Sequence, residues 1–147
     1  MRKKKIMIVG ANRSGKTTLA HALNEDTSPV KRTQDIIYGK RTIDIPGSYL
    51  ESPWMYKHII AAAQDASEVL FLVDQSSKRE MYSPGFANVF LCPVTGVITK
   101  SDKAPENETF CISQLKMAGV SEPYFKVCVP DGSGLEALIQ HLSKFRR

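Results

Sequence analysis

The sequence predicts a three-layer α/β fold, a mostly parallel six-stranded sheet with one antiparallel edge strand and helices on both faces. Three observations carry that expectation. Short apolar runs alternate with amphipathic segments, the pattern of strands buried on both faces and joined by helices. A glycine-rich loop leads straight from the first of these runs into a helical segment. Two further runs are separated only by Gly39-Lys40, and so tight a connection makes an antiparallel hairpin.

In chain order, Lys5 to Gly10 is the first strand, apolar after Lys5 and stopped by glycine. Gly15 to Glu25 is a helix, with Leu19, Ala22 and Leu23 at helical spacing and turn-forming residues from Asn24 to Pro29 behind it. Ile36 to Tyr38 and Arg41 to Ile45 are the hairpin strands, closed by Pro46-Gly47. Pro53 suits a first helical turn, and Ile59, Ile60, Ala62 and Ala63 extend that helix to Ala66. Val69 to Val73 and Val94 to Thr99 are buried strands. The Ser/Pro/Gly-rich link between them contains Ser83-Pro-Gly-Phe86 and room for a short helix. Glu106 to Gly119 is a helix with Phe110, Leu115 and Met117 partly inward and Gly119 as its stop. Tyr124 to Val129 is the last strand and Leu135 to Phe145 the last helix.

With 147 residues, 42% of them hydrophobic, the chain is expected to be one domain, 1–147, with a real core. No run reaches the roughly 18 apolar residues of a membrane span, so a soluble, unexported, cytoplasmic protein with no membrane partner is expected. Cys92, Cys111 and Cys128 are odd in number and widely spaced, which suggests neither a disulfide framework nor a CxxC metal site. His21, His58 and His141 fall on separate helices and form no zinc pattern. Much of the net charge of +5 sits at the chain ends, Arg2 to Lys5 and Arg146-Arg147. Those read as solvated tips, and nucleic acid is not an expected partner.

The segment Gly10-Ala-Asn12-Arg13-Ser14-Gly15-Lys16-Thr17 matches G-x-x-x-x-G-K-[ST] between a strand and a helix, where the chemistry requires it. Glycines at both ends let the loop wrap closely, so that backbone N–H groups and the helix N-terminus meet phosphate oxygens. Candidate nucleotide contacts are Gly10, Asn12, Arg13, Ser14, Gly15, Lys16, Thr17 and Thr18. Lys16 neutralises β- and γ-phosphate charge, and the Thr17 hydroxyl is placed for Mg²⁺. A second motif, Asp44-Ile-Pro-Gly47, matches D-x-x-G. It is also an ordinary turn composition, but directly after a strand beside the phosphate-loop strand Asp44 can hold Mg²⁺ and Gly47 can offer its N–H to a γ-phosphate. The third, Thr99-Lys100-Ser101-Asp102, is similar to the guanine-reading [NT]-K-x-D motif. A carboxylate at Asp102 accepts from guanine N1–H and the exocyclic amine together, a donor pair that adenine lacks, and Lys100 can lay its stem over the base. GTP or GDP with Mg²⁺ is the expected ligand.

In this order the three motifs resemble a small P-loop GTPase of the translation-factor-related class over nearly the whole chain. Arg32-Thr33-Gln34, the segment Ile43 to Glu51, Ser83-Pro-Gly-Phe86 and Gly96 to Lys100 together resemble the ethanolamine- and propanediol-utilisation (EutP/PduV-like) family. That resemblance implies a bacterial protein associated with a metabolic microcompartment, with shell or enzyme proteins as partners. It also implies that Thr33 is the switch threonine that closes over Mg²⁺ and the γ-phosphate, a catalytic role beside Lys16. The segment from Val127 to Gly132 corresponds to the family's base-side loop, with Cys128 where a Ser-Ala-type pair is usual. Ser48 follows Gly47 where signalling GTPases carry the glutamine that orients the attacking water, so slow hydrolysis is expected. Arg13 and Tyr49 are nearby candidates to which no catalytic role is assigned.

Two other functions compete. Family members described as acetate kinases imply phosphoryl transfer from ATP to a small carboxylate, against which the Thr99-Lys100-Ser101-Asp102 segment argues. A non-catalytic docking module would use exposed aromatic residues near the switch, Trp54, Met55 and Tyr56, although helix packing is the expected fate of at least two of them.

Overall fold

A computed structural model describes residues 5–10, 19–20, 36–38, 41–76, 82–128 and 132–143. Six strands form one sheet in the order β2-β3-β1-β4-β5-β6. They are β1 (Lys5–Val9), β2 (Ile37–Tyr38), β3 (Thr42–Asp44), β4 (Ala66–Asp74), β5 (Val94–Thr99) and β6 (Tyr124–Lys126). Neighbours are parallel except β2 and β3, whose pairing of Ile37 with Asp44 and Tyr38 with Ile43 is antiparallel, the hairpin that the sequence predicts.

Helices cover both faces. On one, α1 (Tyr56–Ala62) and α2 (Glu108–Ala118) bury Ile59, Ala62, Cys111, Leu115 and Ala118 against Met7, Val9, Ile43, Phe71 and Ile98. On the other, the helical pair Leu19-Ala20 and α3 (Leu135–Ser143) pack Leu19, Leu138 and Leu142 on Ile6, Ile8, Leu70, Leu72 and Val97. Alternate residues of each strand go to opposite faces, both covered, which is why the runs Ile6 to Val9 of β1 and Val69 to Val73 of β4 are apolar throughout.

The Ser/Pro/Gly-rich link is part of the core. Phe71 stacks on Tyr82 with ring centroids 4.7 Å apart and meets Phe86 at 5.7 Å and Phe90 edge-on at 5.8 Å. The expected short helix is a 3₁₀ turn at Phe86–Val89. The buried Tyr82 hydroxyl donates to Leu72 O at 2.6 Å and lies 3.1 Å from Val9 O, tying the outgoing ends of β4 and β1.

Several elements differ from expectation, among them the last strand, which ends at Lys126 rather than Val129. β4 begins at Ala66 rather than Val69, because Glu68 is fully buried with partners outside its own strand. Its carboxylate accepts from the Thr95 hydroxyl, and His141 Nε2 lies 3.3 Å away. The segment from Pro53 to Asp65 is a 3₁₀ turn, one short α-helix and a second 3₁₀ turn. In α2 the inward stripe is Cys111, Leu115 and Ala118, spaced four and three residues apart, which turns Met117 out to 40% exposure.

Candidate functional site

The parallel strands all deliver their C-terminal ends to one edge of the sheet. β1 and β4 lie side by side, yet the chain leaves them toward opposite edges, and a crevice at such a switch point is where open α/β sheets bind ligands. Gly10 leaves β1 there. In register beside it, Ile8 pairs with Asp44 at the end of β3, and Ile45 N donates to Ile8 O at 3.1 Å. Asp44 is buried, on the face opposite Ile43 and therefore on the side of Leu19-Ala20. Gly47, also buried, opens the 3₁₀ turn Gly47–Leu50.

Asn12, Arg13, Ser14, Gly15, Lys16, Thr17, Thr18 and Thr33 lie outside the described residues. Their flanks, Gly10 at the end of β1 and the buried Leu19 on the helical side, are described. A hard oxygen donor such as the Asp44 carboxylate suits Mg²⁺, and the hydroxyls of Thr17 and Thr33 are the same class of ligand. Among the described residues the buried Asp44 carboxylate is the donor whose chemistry fits the ion.

On the far side of β4 the site is built around Thr99, Lys100, Ser101 and Asp102. Asp74 pairs with Thr99 in the ladder, and the Thr99 hydroxyl donates back to Val73 O at 3.2 Å. Lys100 holds φ at +54°, a left-handed conformation that a non-glycine residue rarely adopts, and its Nζ lies 2.9 Å from Asp74 Oδ2. Asp74 Oδ1 accepts from both the amide and the hydroxyl of Ser76. A turn follows, in which Lys103 N donates to Lys100 O at 2.9 Å and presents Ser101 and Asp102 at its tip. The Asp102 side chain is 48% exposed. Val127, the residue just past β6, supplies the remaining wall: Ser101 N donates to Val127 O, and Val127 N to Ile98 O. Cys128 is buried, donates its N–H to Ser133 O at 2.9 Å and accepts from Gly132 N.

Sequence reasoning missed the residues that hold this loop. Gln75, just past β4, and Asn107, ahead of α2, are both buried; Gln75 donates its side-chain amide to Ser101 O and Lys103 O, and Asn107 donates its own to Gln75 O. Neither belongs to a motif; the only signal for Gln75 is a polar residue just past an apolar strand, and Asn107 has none beyond its place before a helix. Cys111, beneath Asp74, donates its thiol to Asp74 O at 3.8 Å. Burial, helped by the charges of Asp74 and Glu108, pushes that thiol up to about 11, so it is a structural group and not a nucleophile. Among the described residues no three metal-ligating side chains cluster, and no helix is long and apolar enough to cross a membrane.

This strand order, with a phosphate-loop sequence leaving β1, is the fold of the P-loop GTPases. It is shared at a TM-score of 0.69 and 20% identity with translation elongation factor SelB from Methanococcus maripaludis, solved with the GTP analogue GppNHp, over 99% of this chain and 34% of that one. A probable GTP-binding protein engB matches at a TM-score of 0.64 and 19% identity, over 98% of this chain and 99% of that one. More narrowly, the profile of the PduV-EutP family, described as ethanolamine utilisation and propanediol utilisation, matches residues 3–144, and the chain belongs to that family. It is 32% identical to the propanediol utilization protein PduV of Citrobacter freundii over 123 residues, 83% of this chain and 82% of that protein. It is 25% identical to the probable acetate kinase EutP of Escherichia coli over 146 residues, 98% of this chain and 92% of that protein.

Proposed function

We propose that the chain is a Mg²⁺-dependent guanine-nucleotide-binding protein, a slow GTPase or switch serving propanediol or ethanolamine utilisation. The observation that carries this reading is the placement of Gly10, Asp44 with Gly47, and the Lys100–Asp102 turn along one edge of the sheet. Along that edge Asp44 after β3, Gly10 after β1 and the turn after β5 follow one another, the order that metal, phosphate and base would need.

In this reading the loop amides from Gly10 to Thr18 and Lys16 hold the phosphates and stabilise the charge that develops on them during transfer. Thr17, Thr33 and Asp44 would hold Mg²⁺, which when bound neutralises phosphate charge. Gly47 gives its N–H to the γ-phosphate. Asp102 reads guanine, Lys100 covers the base, Thr99 braces their strand, and Cys128 closes the base side. Ser48 has no side-chain amide with which to orient water, so unaided turnover is slow and a partner, a shell or enzyme protein of a cytoplasmic microcompartment, accelerates it.

Removing the Asp102 carboxylate tests this. Asp102→Ala weakens GDP binding by about 2 kcal/mol, the size expected for a lost charged hydrogen bond, and leaves ATP binding as it was. Equal losses for both nucleotides would refute the base-reading role. One observation favours a second reading: the Escherichia coli relative is named a probable acetate kinase. Phosphoryl transfer from ATP to acetate would then appear in the same assays, without guanine preference.

A further inference from the structure

We propose that Gln75 is the positioning residue for base recognition: it fixes the turn 99–103 so that the Asp102 carboxylate meets the guanine edge. The inference rests on the guanine reading above.

Gln75 grips this turn at three alternate residues. Its backbone N donates to Thr99 O at 3.0 Å, and its side-chain Nε2 donates to Ser101 O at 3.1 Å and to Lys103 O at 2.8 Å. The two carbonyls held by one amide group stand on either side of Asp102. The peptide that enters Asp102 and the one that leaves Lys103 are therefore both fixed by the residue that directly follows β4. Asn107 closes the far side, giving its Nδ2 to Gln75 O at 3.0 Å and its backbone N to Ala104 O at 2.8 Å.

The turn needs such a clamp. Lys100 and Ala104 at its two ends both hold positive φ, +54° and +40°, without being glycine, so the chain here is away from its own backbone minimum. The sense of the Gln75 amide is also determined: only its NH₂ edge can face two carbonyl oxygens, since the flipped amide would set acceptor against acceptor. That leaves Oε1 buried with no partner among the described residues, on a side chain only 2% exposed. An unpartnered buried acceptor is unfavourable, and an apolar chain of equal length would avoid it. The contribution of Gln75 is accordingly to loop geometry more than to stability. Next to it, Asp74 holds Lys100, so two consecutive residues of β4's outgoing end set the two side chains that address the base.

The test uses the full chain, as wild type and as Gln75→Met, which keeps the length and removes both the donors and the orphaned acceptor. Affinities for GDP, IDP and ADP are measured with Mg²⁺, together with amide hydrogen exchange of nucleotide-free protein over 99–104. Inosine lacks guanine's exocyclic amine, so the GDP-to-IDP ratio reads the second bond to Asp102. In Gln75→Met that ratio falls about tenfold, the loss of one charge-assisted hydrogen bond, while ADP affinity holds and the Lys103 amide exchanges faster. A wild-type ratio retained in Gln75→Met overturns the positioning role and leaves guanine recognition standing. A wild type that does not prefer GDP to IDP and ADP overturns guanine recognition itself, and this inference with it. Should Gln75→Met fail to fold, Asn107→Ala decides the same point: a lowered ratio supports the clamp, and an unchanged one refutes it.

Discussion

Replacing Tyr82 by phenylalanine removes one oxygen from the place where β1 hands the chain to the phosphate loop. The Tyr82 ring is stacked on Phe71 at an interplanar angle of 6° and is 4% exposed, so the Tyr82→Phe variant keeps every ring contact. What is lost is the hydroxyl. Its single hydrogen is directed at Leu72 O, 2.6 Å away, and Val9 O at 3.1 Å is the alternative acceptor, so one good bond and part of a second disappear. A net hydrogen bond contributes about 1 kcal/mol, and the imperfectly satisfied carbonyl adds to the loss, for a total of about 1.5 kcal/mol. In a domain of this size that lowers Tm by about 3–6 °C in a calorimetric or circular-dichroism melt. Burial drives the phenol's ionisation well above its ordinary range, so the hydroxyl stays a donor and the deficit is the same at pH 6 and pH 9. An unchanged melt, or a deficit that vanishes between pH 6 and pH 9, would refute the bridging role.

The other predictions concern loops, buried charge and thiols. Gly134→Ala sets a Cβ 1.9 Å from Lys126 O at a φ of +77° and destabilises by about 2–4 kcal/mol, whereas Gly132→Ala, at a similar φ with open space around it, loses only about 1–2 kcal/mol in urea titrations. Desolvation raises the Glu68 carboxyl above its ordinary 4.5, against the opposing pull of Thr95 and His141. The folded state thus binds that proton more tightly than the unfolded chain. The stability this adds is complete below pH 4.5 and is lost as pH rises through the elevated value, so the advantage of Glu68→Gln over wild type grows across that window in unfolding experiments. Thiol labelling of folded protein modifies Cys92 first and leaves Cys111, 1% exposed with its thiol pushed up to about 11, unmodified until the chain unfolds.

Much of this architecture is legible in the residues because it is written in local signals. Buried parallel strands announce themselves as apolar runs, and the Gly39-Lys40 connection leaves the chain little choice but a hairpin. The edge of the sheet on which Gly10, Asp44 and Thr99 meet also follows from their positions at strand ends. What the sequence conceals is every feature set by a distant partner. Glu68 reads as a polar residue ahead of a strand, and only Thr95 and His141, contributed by β5 and α3, make it an interior one. Gln75 and Asn107 carry no motif because their partners are backbone carbonyls, whose positions no side-chain pattern records. Met117, expected inward, lies out because α2 turns Cys111, Leu115 and Ala118 toward the sheet, with Gly96 of β5 admitting Leu115 so closely that a Cβ there would lie 2.8 Å from its side chain. Trp54 is 72% exposed while Tyr56 packs on Phe86 at 4.6 Å, a division set by the 3₁₀ turn at Pro53–Met55.

The central claim is that this edge of the sheet selects guanine nucleotide, and titrating nucleotide-free protein with GTP, GDP and ATP in Mg²⁺, with phosphate release followed in the same samples, addresses it most directly. The account predicts tight binding of GTP and GDP, weak binding of ATP and slow release of phosphate from GTP. Preference for ATP without discrimination toward guanine, with phosphate passing to added acetate, would contradict it.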